Sequence, residues 1–303
     1  MEKSDLACRK VWAGFVAVLL AACTGCAASG TQATAPVPAK APKMTSATRM
    51  RLPIESYMFS DGQRDQVVEA KSKSIGLCMR RFGFVYDMPE RSHSFRPESL
   101  TELRYGITSS SDAASYGYKP EGSDAAPGKP APAKPEPKGY ALALNGGSDR
   151  VDRLKGTELP EGGCVGEARR ALRDTEKDGG GGDAEISNSI NAASWQSSFQ
   201  DARVRKVFQQ WSQCMKLRGY EYADPMEANN DPRWKGGEPA TATEKKVAVA
   251  DTECKKRLNV VGTWYAVDMS YQEKMIADNR EKLQPVKRKI DMQLRLAAKI
   301  LGE

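Results

Sequence analysis

The sequence predicts a mainly α-helical protein built from two tandem, disulfide-stapled helical repeats, with short extended segments, a long disordered tether and disordered loops. Three observations predict it. Apolar residues recur at helical spacing, as in Val204, Val207, Phe208, Trp211 and Met215. A twelve-residue segment occurs twice. Four cysteines sit in matching places around the two copies.

The duplication is the strongest of these. Residues 78–89 (CMRRFGFVYDMP) align with residues 214–225 (CMKLRGYEYADP), and cysteine, methionine, a base, glycine, two aromatics and proline recur at the same offsets. Placing Gly83 or Gly219 just past a helix end, in the left-handed conformation that glycine tolerates, stops the helix there. Phe84 or Tyr220 then meets Met79 or Met215 in the hydrophobic contact of a Schellman motif. Each copy is followed by one further cysteine, Cys164 or Cys254. Four cysteines allow three pairings, and the repeat symmetry selects Cys78–Cys164 and Cys214–Cys254. A metal site is the rival use, but the chain has one histidine and none of these four cysteines lies in a CxxC, so neither a metal nor a cofactor is expected.

The helices follow from local signals. Residues 61–82 and about 186–218 carry helical apolar spacing. Thr241 to Val261 opens with the capping box Thr241-x-x-Glu244 and should end at Gly262. The last segment has Met269, Ile276, Leu283, Ile290 and Ala297 at sevens, the mark of a helix packed within its own domain, with Pro285 expected to kink or restart it. Breaks divide the chain: a lipidated N-terminus and tether over 23–50, a first repeat over 51–177 with a proline-rich disordered insert at 108–139, a glycine-rich hinge at 178–185, and a second repeat with C-terminal helices over 186–303. Asp224 to Pro239 reads as a long surface loop.

Residues 1–22 read as a secretory signal. Lys3, Arg9 and Lys10 precede a twelve-residue apolar run, Val11 to Ala22. That run is too short for a transmembrane helix, which needs about 20 residues, and fits a signal peptide. It ends Leu20-Ala21-Ala22-Cys23, which is similar to the lipobox of bacterial lipoproteins. That likeness implies cleavage before Cys23, diacylglycerol on its thiol, and anchoring to the bilayer by acyl chains at the outer face of the cell membrane, each buried CH₂ contributing about 0.8 kcal/mol. Export would place the remaining cysteines where they tend to pair.

Residues 1–22 carry three positive and two negative side chains, so the rest of the chain keeps +6 of the formal +7. Spread over this length, that is no nucleic-acid footprint. The one histidine, His93, lies in a polar stretch, and no GxSxG, P-loop, GxGxxG after a strand or HExxH is present, so no catalytic residue is assigned. Trp234, between bases in the loop Asp231 to Gly237, is the candidate contact residue, whereas Trp195, Trp211 and Trp264 fall in helical patterns as core.

The arrangement resembles small lipoproteins of high-GC Gram-positive bacteria that share a lipobox, an Ala/Pro/Thr-rich tether and paired Cys-Met-x-x-x-Gly-aromatic segments with a downstream cysteine. The resemblance brings no activity with it. The expected role is a non-enzymatic binding or accessory protein of the cell envelope, with a membrane transporter or a wall component as partner. The alternatives are small-molecule or wall-polymer binding between the repeats and, last, a carboxylate-based hydrolase.

Overall fold

Ser60 starts the first helix: its hydroxyl accepts from the Gln63 amide while the Gln63 side chain accepts from the Ser60 amide, so two otherwise orphaned donors are satisfied. The helix, α1, runs Asp61–Arg81. It ends as the repeat predicts. Gly83 has φ +76°, its amide donates to Arg80 O, and the Phe84 amide donates to Met79 O. The second copy does the same at the end of its helix, with Gly219 at φ +85°, Gly219 donating to Lys216 O and Tyr220 to Met215 O. Both are Schellman motifs.

The computed structural model describes residues 41–44, 46–47, 50–87, 99–121, 136–147, 153–174, 184–235 and 239–302. After α1 come α2 (Ser110–Tyr116), α3 (Tyr140–Asn145), an antiparallel two-stranded hairpin of β1 (Arg153–Leu154) and β2 (Thr157–Glu158), and α4 (Gly163–Ala171). The second half contains α5 (Glu185–Gln200), α6 (Ala202–Lys216), α7 (Pro225–Asn229), α8 (Ala242–Leu258), α9 (Val260–Asp278) and α10 (Arg280–Leu301). Short 3₁₀ turns lie at Pro53–Tyr57 and Pro232–Trp234. The protein is therefore mainly helical and holds two disulfides. Residues 178–183 of the glycine-rich hinge, the proline-rich run 127–135, His93 and Cys23 lie outside the described residues.

The helix expected over 186–218 is two helices. Asp201 ends α5 and caps α6, accepting from the Arg203 amide. The helix expected to end at Gly262 stops at Leu258, because Asn259 takes the left-handed conformation (φ 51°) and starts α9. Gly262 instead lies inside α9, where a Cβ would sit 1.9 Å from the Pro42 carbonyl. Its role is close approach of another chain segment. Asn259 holds that segment too, accepting from the Met44 amide and donating to Pro42 O. Met44 and Ala47 are buried, so the last part of the expected tether is docked. Pro285 does not restart the final helix; the restart is at Asn279, and Pro285 sits inside α10, in its second turn, at the loss of one backbone bond.

All the described residues lie in one unit, Ala35–Glu303. α9 is its axis, packed against α5, α6, α8 and the Pro53–Tyr57 turn. The largest core gathers Trp264, Trp211, Phe208, Tyr105 and Ile54 around it. A second cluster holds Ile75, Met79, Phe82, Phe84 and Ala168 about the first disulfide. A third joins Val67 and Ala70 of α1 to Ile290 and Ala297 of α10. The seven-spaced face of α10 thus packs within this chain, but on the first repeat's helix. The halves interlock elsewhere too: the Ser187 hydroxyl donates to Tyr57 O and Lys73 to Leu301 O.

Candidate functional site

Cys78 bonds Cys164 and Cys214 bonds Cys254, with Cα–Cα distances of 5.5 and 5.9 Å, inside the usual range for a disulfide. Each ties the last turn of a repeat helix to a later helix, α1 to the start of α4 and α6 to the C-terminal part of α8. All four cysteines are buried. This is the pairing that the repeat symmetry selects.

Past the shared Schellman turn, the two repeats differ. Phe84 is buried. The Tyr140 ring meets it edge-on at 5.6 Å, and the Lys155 ammonium lies 4.8 Å from its centroid. α3 and the hairpin therefore cover it. On the outer side of that cover, Pro137, Leu142 and Leu154 line a shallow depression of about 820 Å³. Tyr220, the matching aromatic, is only half-buried. It borders an open groove of about 410 Å³ between α2 and α8, with Val249, Ala250 and Ala114 as apolar lining and Arg218, Lys245 and Lys246 as cations. Arg218 pairs with Glu253 across the groove's edge. Beside it Leu217 is 86% exposed.

Trp234 is not an exposed contact residue. It is buried, its indole N–H donates to Ala228 O at 2.8 Å, its ring stacks on Tyr118, and the Arg233 guanidinium lies 4.8 Å from it. The reason is that Asp224 to Lys235 is folded. Asp224 caps α7 with Pro225 in the first turn, and Asp231 caps the next turn through the Arg233 amide. Arg233 also bonds the Asp231 carboxylate and holds its pKa down to about 2, while burial and the bond to Asp231 push Tyr222 up to about 12. The part of the expected insert that is described is ordered as well: α2 lies along α8 with Ala113 buried.

Two buried carboxylates escape sequence reasoning. Asp251 accepts from the Trp211 indole at 2.9 Å, from Lys255 at 2.8 Å and from the Tyr118 hydroxyl at 3.3 Å. Lys255 also donates to Ile107 O. Burial pushes the Asp251 carboxyl up from its ordinary range, opposed first by the Lys255 ammonium. Burial, and then the Asp251 charge, raises the Tyr118 hydroxyl. Glu244 does not complete the expected capping box. Thr241 accepts from the Glu244 amide, but the Glu244 carboxylate accepts from the Tyr118 amide. Glu244, Asp251 and Lys255 thus form a buried polar row under residues 107–118. The only signal was Asp251 and Lys255 four apart, a spacing equally common on solvated faces.

Asp268, in α9, accepts two bonds from Arg104 (2.6 and 3.1 Å) and one from the Tyr105 hydroxyl (2.9 Å). Arg104 further reaches Asn191 and Ser194 of α5. Asp251 and Asp268 are fully buried. Each accepts three hydrogen bonds, so chemically they are ties holding residues 99–118 to α5, α8 and α9. Among the described residues, no group of three His, Cys, Asp or Glu side chains is placed to hold a metal, and no helix is long and apolar enough to cross a membrane. Comparison with family models, curated proteins and solved structures finds no match to this chain.

Proposed function

We propose that the protein is an exported lipoprotein, acylated on Cys23 and held at the outer face of the cell membrane, whose folded unit is a non-enzymatic binding or accessory component of the envelope. The observation that carries this reading is the N-terminal order of bases, a twelve-residue apolar run and Leu20-Ala21-Ala22-Cys23. The two buried disulfides support it, since such bonds persist in oxidising compartments. Residues 24–40 would then tie the folded unit to the bilayer with a reach of at most about 60 Å. In this reading the unit meets a membrane complex or wall component at a surface.

Replacing Cys23 tests the anchor. The Cys23→Ala protein is expected either to stay unprocessed or to leave the membrane fraction on washing with high salt. Full retention of a correctly cleaved Cys23→Ala protein through that wash would overturn the reading.

A further inference from the structure

The geometry points to a docking site for the anionic headgroups of a phospholipid bilayer at the open end of the second repeat, formed by Arg218, Lys245 and Lys246 around Tyr220, with Leu217 as the inserting residue. This deepens the proposed function by making the bilayer itself the partner of the folded unit.

The repeat supplies the first argument. The same turn in the first repeat carries its aromatic under α3 and the hairpin, with a cation over the ring. In the second repeat no element takes that place among the described residues, and the aromatic borders open space. A groove that the fold closes in one copy and leaves open in the other is available to an external occupant.

Its chemistry selects the occupant. Three cations line the groove, Arg218 among them shared with Glu253 at its edge, while its floor is apolar. An anionic group on an apolar body satisfies both parts. Leu217 then decides among anionic ligands. It is the most exposed large apolar residue described, and it stands between Lys216 and Arg218, which are exposed as well. A soluble anion gains nothing from a leucine projecting into water. A bilayer surface takes the leucine below its headgroups while the flanking bases stay among the phosphates.

The test uses the chain from residue 24 onward, which holds the whole Ala35–Glu303 unit and both disulfides but not Cys23, so its outcome does not depend on acylation. It is sedimented with vesicles of phosphatidylcholine alone and of phosphatidylcholine with phosphatidylglycerol. Binding is expected only to the anionic vesicles and is expected to fall with added salt. Each base near an anionic surface contributes about fivefold to affinity, so the combined Arg218→Gln, Lys245→Gln, Lys246→Gln variant should bind at least about tenfold more weakly. Leu217→Ser should weaken binding a few-fold, and Lys287→Gln with Arg288→Gln on α10 should leave it unchanged. Non-reducing peptide mapping of each variant checks that both disulfides have formed. Equal binding to neutral vesicles, or an unaltered triple variant, would overturn the proposal. Binding to a soluble glycerol-phosphate polymer without binding to anionic vesicles would overturn it too and give the groove to a wall polymer.

Discussion

The two repeat ends share a turn and differ in what lies over it. In both, a glycine with positive φ stops the helix, the aromatic after it returns its amide to the methionine carbonyl, and a disulfide ties the last turn to a later helix. The first end is then closed by α3 and the hairpin, whereas the second opens between α2 and α8. The difference teaches that the duplicated segment encodes a way of ending and stapling a helix. What surrounds it decides whether the end is core or surface.

The largest effect that can break the comparison is loss of a disulfide. Loops of 86 and 40 residues enter the chain-entropy relation only through a logarithm. Cys78→Ala with Cys164→Ala, and Cys214→Ala with Cys254→Ala, should therefore each cost about 4 to 5 kcal/mol in urea unfolding. Hydrogen exchange should separate them, with protection lost in α3, the hairpin and α4 for the first pair and across the Trp264 core for the second. A uniform loss in both would show that the first end is no separate cluster. Next comes the pair of aromatics. Phe84→Ala should cost about 3 kcal/mol because its ring is buried. Tyr220→Ala should cost about 1 kcal/mol, because much of its ring already meets water. Equal costs would mean that the second end is covered after all.

Smaller still, Gly83→Ala and Gly219→Ala should destabilise by about 1 kcal/mol each, and equally, since both need positive φ and neither position is crowded. The smallest effect is in pH. Asp231, with its carboxyl at about 2 against an ordinary 3.8, contributes stability that is present above pH 3.8 and is lost as pH falls toward 2. Asp231→Asn should flatten that part of the stability profile and loosen the Tyr222–Arg233 turn beside the second end.

The repeat, both staples and both Schellman turns were legible because each rests on residue types at fixed local offsets. The buried polar row of α8 was not. Glu244, Asp251 and Lys255 have the spacing of a solvated helix face, and only α2 lying over them makes that face interior. Asp268 gave no local signal, since its partner Arg104 is 164 residues away. Trp234 misled for the reverse reason: prolines, glycines and bases around it suggest a loose loop, while Asp224 and Asp231 cap short turns that carry it inward. The interlocking of the halves was also hidden. The seven-spaced face of α10 specifies a helical partner without saying that the partner is α1. The groove at Tyr220 could have been suspected only from the missing counterpart of Tyr140 and Lys155, a comparison that needs the fold.

Mass spectrometry of the protein taken from its own membranes under non-reducing conditions tests the central claim most directly. The account predicts an N-terminal peptide beginning at Cys23 with diacylglycerol on its sulfur, together with linked peptides for Cys78–Cys164 and Cys214–Cys254. A chain that begins at Met1, or one whose four cysteines are free thiols, would contradict it.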